Sequence, residues 1–564
     1  MPPHSAMMAL WVAGCLSLVG GSALAADFYV SPTGNNSNDG SQAHPWRSLP
    51  HGISQIQGDT LYVRGGIYTL GSETTVNSGT PQNNTVIQAY PGETVTITSG
   101  HFQIISKEYF TIKGFRLEYQ PTARERYGIM VADSRHFRIE DNFISQTNSC
   151  GIYLTSTVGH DPSHGCSDFV VTRNEITEMN YANDQEGISI PYGTNGVVSY
   201  NKVHHSGSTN NKIYIDIKTY SEHIDVFNNE IWEAPGLATG AGIYLDGITD
   251  HVRYIKVHHN HIHDISTGIR SAPESYNNVR QNLDIEIYDN VIHDCGTGIS
   301  IGWNTTNNNL CGLSIIKRNY IYNNTIFHCT YYGIIVGLLR DETAFSPEER
   351  QLHAEDIFVY NNILVENGSE TWGTQINVQH DDFNAVTVDT NLQVGDLGVT
   401  GQNPILADPL FVDRDNGDFH LQAGSPAIDV ATTAYAFLPT DDYDGSPRPQ
   451  GSGLDLGAFE YGDQVGPRTC EELDGTCCDT GQICEGGSFR SSSDCGGSCC
   501  VGGTCQADPQ GHRYVVYKAE TAPVIDGDVS EYQGADRITV TNEQTGAETT
   551  CRFLWDDDAL YVAL

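Results

Sequence analysis

The sequence predicts an all-β protein whose main domain is a right-handed parallel β-helix, a solenoid with three short strands in each coil. Short aliphatic strands of period two end repeatedly in Asn, a second apolar strand follows each Asn, and a third unit begins with Gly-Ile. The pattern recurs about every 30 residues, a period typical of repeat proteins whose coils stack to bury a shared core. The right-handed form follows from the preferred handedness of parallel crossovers.

The repeated residues define one corner and the inward face of the coils. We expect the Asn side chains to align and to hydrogen-bond along the stack as a ladder. The repeated Asn residues are Asn142, Asn174, Asn201, Asn229, Asn260, Asn290, Asn319 and Asn362. The Gly-Ile units begin at Gly128, Gly151, Gly187, Gly242, Gly268, Gly298 and Gly333. In the coil that reads KIYIDIKTY, Lys212 takes the place of this Gly. The residues then predicted to point inward are Ile213, Ile215, Ile217, Ile243 and Leu245.

Residues 1–26 are predicted to be a secretory signal peptide. An apolar stretch from Met7 to about Val19 precedes small residues that end at Ala26. Lipid attachment at Cys15 is an alternative that the short apolar stretch before it disfavours. No other segment approaches the ~18 apolar residues of a membrane span. We therefore expect a secreted, extracellular protein without membrane insertion.

Four further segments are predicted. Residues 27–390 form the β-helix, and residues 391–463 form a closing segment that caps the open end of the solenoid. Residues 464–510 hold eight of the 15 cysteines, which predicts a small disulfide-rich module. Residues 511–564 form an incomplete β-sandwich. Candidate disulfides on the main domain are Cys150 with Cys166 and Cys295 with Cys311.

The charge balance limits the partners of the protein. The net charge is −41, which argues against nucleic acid or an anionic membrane as a partner. The same charge keeps an exported chain soluble, and it weighs mildly against a strongly anionic substrate. We expect a monomer.

Charged side chains concentrate on the outward face of three consecutive coils. Counted from the Gly position, Asp216 and Asp246 occupy the same place in adjacent coils, and neighbouring parallel strands lie ~4.8 Å apart. We therefore predict that these two carboxylates stack, which raises the pKa of one of them unless a cation lies between them. Lys218 and Glu274 are expected diagonally across from Asp246, and Arg270 is expected at the border of the patch.

Aromatic and histidine side chains lie close to this patch in the sequence. Tyr214, Tyr244 and Trp303 are candidate platforms for pyranose rings. Two His-rich units lie on another strand and corner of the coil, where a metal site is one interpretation and solvated faces and turns are the favoured one. Their members are His204, His205, His258, His259, His261 and His263.

Several segments resemble known carbohydrate-active proteins. The stretch YVSPTGNNSNDGSQAHPWRSLPHGISQI, followed by GDTLYVRGGIYTL, resembles the opening of secreted right-handed β-helix enzymes of the pectate-lyase and β-xylosidase types. This resemblance implies a pectin-lyase-like fold. NPILADPLFV and DYDGSPRPQGSGLDLGAFEYG resemble the closing segment of bacterial secreted β-helices. Residues 511–564 resemble the beginning of a family-9-like carbohydrate-binding module.

Three functions remain open, each with a polysaccharide as partner. The leading one is a glycoside hydrolase that uses Asp216, Asp246 and Glu274 and needs no cofactor, because GIYLDG followed one coil later by a Glu resembles the acid pair of xylosidase-type β-helix enzymes. The second is a polysaccharide lyase in which Lys218 removes a proton beside a uronate while Asp216 and Asp246 hold Ca²⁺. The third is a non-catalytic carbohydrate-binding surface protein.

Overall fold

The structure confirms a parallel β-solenoid. It is a computed structural model that describes residues 25–71, 74–159, 164–182, 186–207, 212–233, 240–273, 280–302, 314–337, 353–368, 373–379 and 385–462, together with Cys470 and eight short strands beyond it. Two helical segments of the described residues are the α-helix Leu49–Gln55 and the 3-10 turn Arg414–Asn416. The residues described contain no helix of the length and apolarity that a membrane span requires.

Three parallel sheets form the walls of the solenoid in the described part of the chain. Sheet 1 consists of Asp27–Val30, Thr60–Val63, Thr85–Ala89, Glu108–Lys113, Arg135–Glu140, Cys166–Thr172, Gly193–Ser199, Ser221–Phe227, His251–His258, Arg280–Tyr288, Ser314–Tyr322, His353–Tyr360 and Val386–Asp389. Sheet 2 consists of Gly66–Tyr68, Val95–Ile97, Arg116–Glu118, Phe143–Ser145, Glu175–Thr177, Lys202–His204, Glu230–Trp232, His261–His263, Val291–His293, Thr325–Phe327, Ile363–Val365 and Leu392–Val394. Sheet 3 consists of Phe102–Ile105, Ile129–Ala132, Ile152–Thr155, Ile188–Ile190, Ile213–Lys218, Ala241–Asp246, Thr267–Ser271, Thr297–Ile301, Tyr332–Gly337 and Thr374–Gln379.

The interior of the solenoid is filled by aliphatic residues from all three sheets. The chain visits the sheets in the order 3, 1, 2, so each coil adds one strand to each stack. Ile215, Ile217, Ile243 and Leu245 are fully buried in this core, as predicted. Ile213 is also buried, but it packs in a separate small cluster with Ala241, Tyr244 and Ala272.

The predicted Asn ladder is present, with one member placed differently. Each side-chain amide donates to the amide oxygen of the next Asn at 2.9–3.0 Å. The ladder comprises Asn142, Asn174, Asn201, Asn229, Asn260, Asn290, Asn324, Asn362 and Asn391. The prediction that Asn319 belongs to it is wrong, because Asn319 lies inside strand Ser314–Tyr322 and donates to backbone carbonyls of Asn282 and Lys317.

The closing segment has two parts. Residues 398–405 continue the last coil through parallel bridges, such as Leu392 to Ile405. The remainder contains the hairpin Phe411–Asp413 and Asp418–Leu421 and packs an apolar cluster against the outer side of sheet 2, including Val291 and Phe327. The solenoid is therefore covered along one wall as well as at its end.

The cysteines of the main domain do not form the predicted disulfides. Cys150, Cys166 and Cys295 are buried thiols, so the proposed pairings of Cys150 with Cys166 and of Cys295 with Cys311 are wrong.

Beyond residue 462 only short strands are described. Strands of the cysteine-rich region are Gly475–Cys477, Gln482–Glu485, Ser488–Arg490, Cys499–Val501 and Thr504–Ala507. Cys470, Cys477 and Cys505 are disulfide-bonded there, and the pairing of the whole module stays a prediction. The last antiparallel sheet is formed by Arg537–Thr541, Glu548–Trp555 and Leu560–Ala563, and its assignment to a carbohydrate-binding module also stays a prediction. The predicted signal peptide lies almost wholly outside the described residues.

Candidate functional site

The predicted site lies on sheet 3, but the register of its strands differs by two residues from the prediction. Asp216 pairs with Ser189 on one side and with Tyr244 on the other, whereas Lys218 pairs with Asp246. The prediction that Asp216 and Asp246 are direct neighbours is therefore wrong. Opposite charges stack in place of like charges, which is the more favourable arrangement across adjacent strands.

The error has an identifiable source at the start of the strand. Ile215 pairs with both Ile188 and Ile243, so Tyr214, the residue before it, stands in the place of Gly187 and Gly242. The sequence pattern predicts Lys212, not Tyr214, at this Gly position of the coil. A two-residue shift preserves the alternation of inward and outward side chains, so the aliphatic pattern alone could not reveal it.

A lysine surrounded by carboxylates forms the centre of the site. Lys218 Nζ lies 2.7 Å from Glu186 Oε1 and 3.4 Å from Asp216 Oδ2. The side chains of Lys218, Glu186 and Asp216 are 18%, 7% and 1% exposed, so Lys218 is the member that solvent reaches best. Asp246 is also buried, although its strand position points away from the solenoid core. We refer to Glu186, Asp216, Lys218 and Asp246 as the lysine cluster.

The electrostatics of the lysine cluster favour a protonated lysine. Burial alone would lower the pKa of Lys218, but the carboxylates of Asp216, Glu186 and Asp246 outweigh it and hold the pKa well above its usual range. One ammonium group faces three carboxylates, so the cluster carries excess negative charge when all four groups are ionised.

Glu186 is the member of the cluster that sequence reasoning missed. It directly precedes Gly187 in the stretch DQEGISI, one coil before Lys218, and no other coil carries a carboxylate immediately before its Gly-Ile unit. The correct register of Ile188 against Ile215 would have brought Glu186 into the neighbourhood of the lysine. That register is not readable from periodicity alone.

The two tyrosines predicted as sugar platforms have structural contacts. Tyr214 is fully buried, and its hydroxyl donates to Glu233 Oε2 at 2.8 Å, which Lys212 Nζ also approaches at 2.7 Å. Burial, with the neighbouring Glu233 carboxylate, raises the pKa of Tyr214. Tyr244 is 1% exposed, and its hydroxyl donates to the Ala272 carbonyl at 3.0 Å. Neither ring presents a face to solvent, so their prediction as stacking platforms is wrong.

Of the remaining predicted site residues, the structure describes Arg270 but not Glu274 or Trp303. Arg270 pairs with Tyr244 across the strands and is therefore two strands from Asp216. Its guanidinium lies 5.6 Å from the centre of the Tyr244 ring. One strand thus lies between Arg270 and Asp216, and the role of Arg270 at the site stays a prediction. Glu274 and Trp303 lie outside the described residues.

The donor set of the cluster matches the preferences of a hard divalent cation. Glu186, Asp216 and Asp246 offer carboxylate oxygens, the ligands that Ca²⁺ takes in proteins. Glu186 Oε2 is buried and accepts no hydrogen bond from the described residues. These three carboxylates are not among the described side chains whose ligand atoms lie within 4.8 Å of one another, so calcium binding here stays a prediction.

Two family models match the β-helix. One, described as a Pel9A-like right-handed β-helix region, matches residues 28–178. The other, described as a right-handed β-helix region, matches residues 127–312, so the lysine cluster lies within the second match. The chain contains a right-handed β-helix region.

Two curated relatives show the extent of sequence similarity. The uncharacterized protein YwoF of Bacillus subtilis strain 168 is 26% identical over 456 residues, which cover 71% of this chain and 92% of the relative. Pectate lyase PEL9 of Emericella nidulans is 42% identical over 76 residues, which cover 13% of this chain and 18% of the relative.

Two solved structures are similar to much of the chain at low identity. The crystal structure of pectate lyase Pel9A is 14% identical, with a TM-score of 0.48 over 78% of this chain and 96% of its own. The structure of XylC with xylose is 12% identical, with a TM-score of 0.44 over 78% of this chain and 99% of its own. These similarities concern the fold alone.

Proposed function

We propose that this protein is a polysaccharide-degrading enzyme that cleaves uronate-containing chains by β-elimination, with Lys218 as the base. The observation that carries the proposal is the position of the Lys218 amino group among three carboxylates on the outward face of sheet 3. The similarity of residues 28–178 to the Pel9A-like region and the short match to pectate lyase PEL9 support the same class of reaction.

The residues of the cluster have separate roles in this proposal. β-Elimination requires a base that removes the proton beside the uronate carboxylate, and an amine performs this task once it is neutral. A Ca²⁺ ion bound together with the substrate beside Asp216 and Asp246 would neutralise the uronate carboxylate and offset the negative charge that keeps Lys218 protonated. Arg270, at the border of the cluster, is suited to bind a further carboxylate of the chain. The calcium ion, Lys218 and Arg270 would thus supply positive charge where an anionic substrate binds, although the net charge of the whole chain is −41.

A glycoside hydrolase is the second candidate. Three carboxylates lie on one outward face, and a hydrolase needs an acid and a nucleophile or base among them. The structure weakens the form of this hypothesis in which Asp216 and Asp246 act as directly stacked partners, because Asp246 pairs with Lys218. We place it second for this reason.

The test uses the purified full chain on polygalacturonate, alginate and xylan, with reducing ends and ultraviolet absorbance measured together. A lyase produces both signals, since each cleavage creates a double bond conjugated with the carboxylate. Reducing ends without absorbance would establish a hydrolase, and neither signal on any polymer would support a non-catalytic binding protein. Chelation with EDTA should stop the lyase, and added Ca²⁺ should restore it.

Variants then assign the base. Lys218→Met should lower kcat at least about 10²-fold, the smaller end of what a general base contributes. The matched control is Lys212→Met, since Lys212 is also buried and ion-paired, to Glu233 at 2.7 Å. The control should lose stability yet retain turnover below its melting temperature. Full activity of Lys218→Met on a verified substrate would remove Lys218 from the mechanism.

A further inference from the structure

Outside the lysine cluster, sheet 2 carries a group of histidines that the proposed reaction does not use. Strands Glu230–Trp232, His261–His263 and Val291–His293 are neighbours in the sheet, with Glu230 paired to His261 and His263 paired to His293. Ile231, Ile262 and Ile292 between them are fully buried in the core. Their flanking residues therefore point outward together.

The ligand atoms of Glu230, His261 and His263 converge, and His293 contacts His261. One side-chain ligand atom each from Glu230, His261 and His263 lie within 4.8 Å of one another. His261 Nε2 and His293 Nε2 are 2.9 Å apart. Two imidazole nitrogens bound to one tetrahedral Zn²⁺ at about 2.0–2.1 Å are separated by about 3.3 Å. A small movement of the two rings would thus replace the contact between them with a shared metal ion.

Acidic residues orient two of the imidazoles. His263 Nδ1 contacts Asp264 Oδ2 at 2.8 Å, and His293 Nδ1 contacts Asp294 Oδ2 at 2.8 Å. A carboxylate accepts a hydrogen bond from an N–H, so each Nδ1 carries the proton and each Nε2 keeps its lone pair. The same carboxylate–histidine arrangement fixes ligand tautomers at protein metal sites.

We propose that Glu230, His261, His263 and His293 bind a divalent transition-metal ion of the Zn²⁺ class. Imidazoles select such ions over Ca²⁺ and Mg²⁺, which prefer oxygen ligands. Lys202 Nζ pairs with Glu230 Oε2 at 2.7 Å, which leaves Oε1 as the oxygen not engaged in that ion pair.

A metal ion bound here would link three consecutive coils to one another and stabilise the wall on which the closing segment packs. His293 packs on Phe419 of that segment, with ring centres 5.4 Å apart, so a metal that fixes His293 also fixes the wall on which the segment rests. Because the four ligands come from three separate strands of sheet 2, the ion binds the folded chain far better than the unfolded one. Bound metal should therefore raise the melting temperature.

The test is uptake of Co²⁺ by the full chain after treatment with EDTA, followed by visible absorption and by competition with Zn²⁺. We expect one equivalent with the absorption of tetrahedral cobalt, displaced by Zn²⁺ and unaffected by Ca²⁺. Absence of uptake at micromolar Co²⁺ would overturn the proposal. A sulfur-to-cobalt charge-transfer band would also overturn it, because it would place the ion on cysteines.

Variants locate the ion. His263→Gln should abolish the cobalt spectrum, and Asp264→Asn should weaken Co²⁺ binding by about 10- to 100-fold while leaving the ligands in place. The matched control is His258→Gln. His258 lies in sheet 1 and contacts Asp225 at 2.7 Å, so this variant should bind cobalt like the unchanged protein. Circular dichroism verifies that each variant is folded. Retention of the spectrum in folded His263→Gln, or its equal loss in the control, would refute the assignment.

Discussion

The ion pair between Lys218 and Glu186 makes a quantitative prediction about the lysine cluster. The two charged atoms are 2.7 Å apart, and at an effective dielectric constant near 20 their attraction is about 6 kcal/mol before desolvation is subtracted. Lys218→Met removes the ammonium group that Glu186 and Asp216 contact and should cost about 3–5 kcal/mol of unfolding free energy. Glu186→Gln should cost about 1.5–3 kcal/mol, because Asp216 and Asp246 still compensate Lys218.

The double variant separates this pair from the rest of the fold. If the contact is real, Glu186→Gln combined with Lys218→Met should cost less than the two single changes together, by about 1–3 kcal/mol. Urea unfolding followed by circular dichroism measures each value, provided that the slope with denaturant is unchanged. The control combines Glu186→Gln with Lys256→Met, since Lys256 of sheet 1 pairs with Glu286, and these costs should add. Additivity within about 0.5 kcal/mol for Glu186 and Lys218 would refute the register on which the site depends.

Two further predictions concern the frame and the closing segment. Asn290→Ala removes five side-chain hydrogen bonds at the ladder and should cost about 3–5 kcal/mol of unfolding free energy, measured with urea. Asn319→Ala, outside the ladder, should cost about 1–2 kcal/mol. Equal costs would contradict the placement of Asn290 in the ladder and of Asn319 outside it. Burial lowers the pKa of His420, but hydrogen bonds to Asp444 and Asp418 outweigh it and raise the pKa to about 9. The stabilisation of the fold by protonated His420 is therefore complete below about pH 6.5 and is lost as the pH rises through 9. His420→Asn should therefore lower the melting temperature at pH 6 and not at pH 10, and a constant difference would refute the coupling.

The fold was predictable because each coil repeats the same physical requirements. An aliphatic residue at alternate positions and an amide at one corner are visible in the sequence, and they led to the solenoid, its inward face and most of the ladder. Asn319 was misassigned because SIIKRN and IYNN, five residues apart, both end an aliphatic run in Asn. Only the stacking of Asn290 on Asn324 decides between them.

The site was less predictable because its chemistry depends on the pairing register of the strands and on how deeply each side chain is buried. Alternation identified Asp216, Lys218 and Asp246 as outward residues, yet a shift of two residues changes which of them face one another. Burial of Tyr214 and Tyr244 depends on contacts with Glu233 and Ala272, which periodicity does not report. Glu186 was missed for the same reason, since its nearness to Lys218 arises from the stacking of two coils.

Register also explains why a solenoid is suited to carry both proposed sites. The core requires only aliphatic residues at alternate positions and so tolerates any outward residue, while the ladder fixes each coil against the next. Residues about 30 positions apart in the chain are thereby held about one strand spacing, ~4.8 Å, from one another. On sheet 3 this brings Lys218 to Asp246, and on sheet 2 it brings His263 to His293. Changing the chemistry of either wall needs only outward substitutions, whereas insertion of a single residue within one strand would turn its polar face inward and remove the site together with the core.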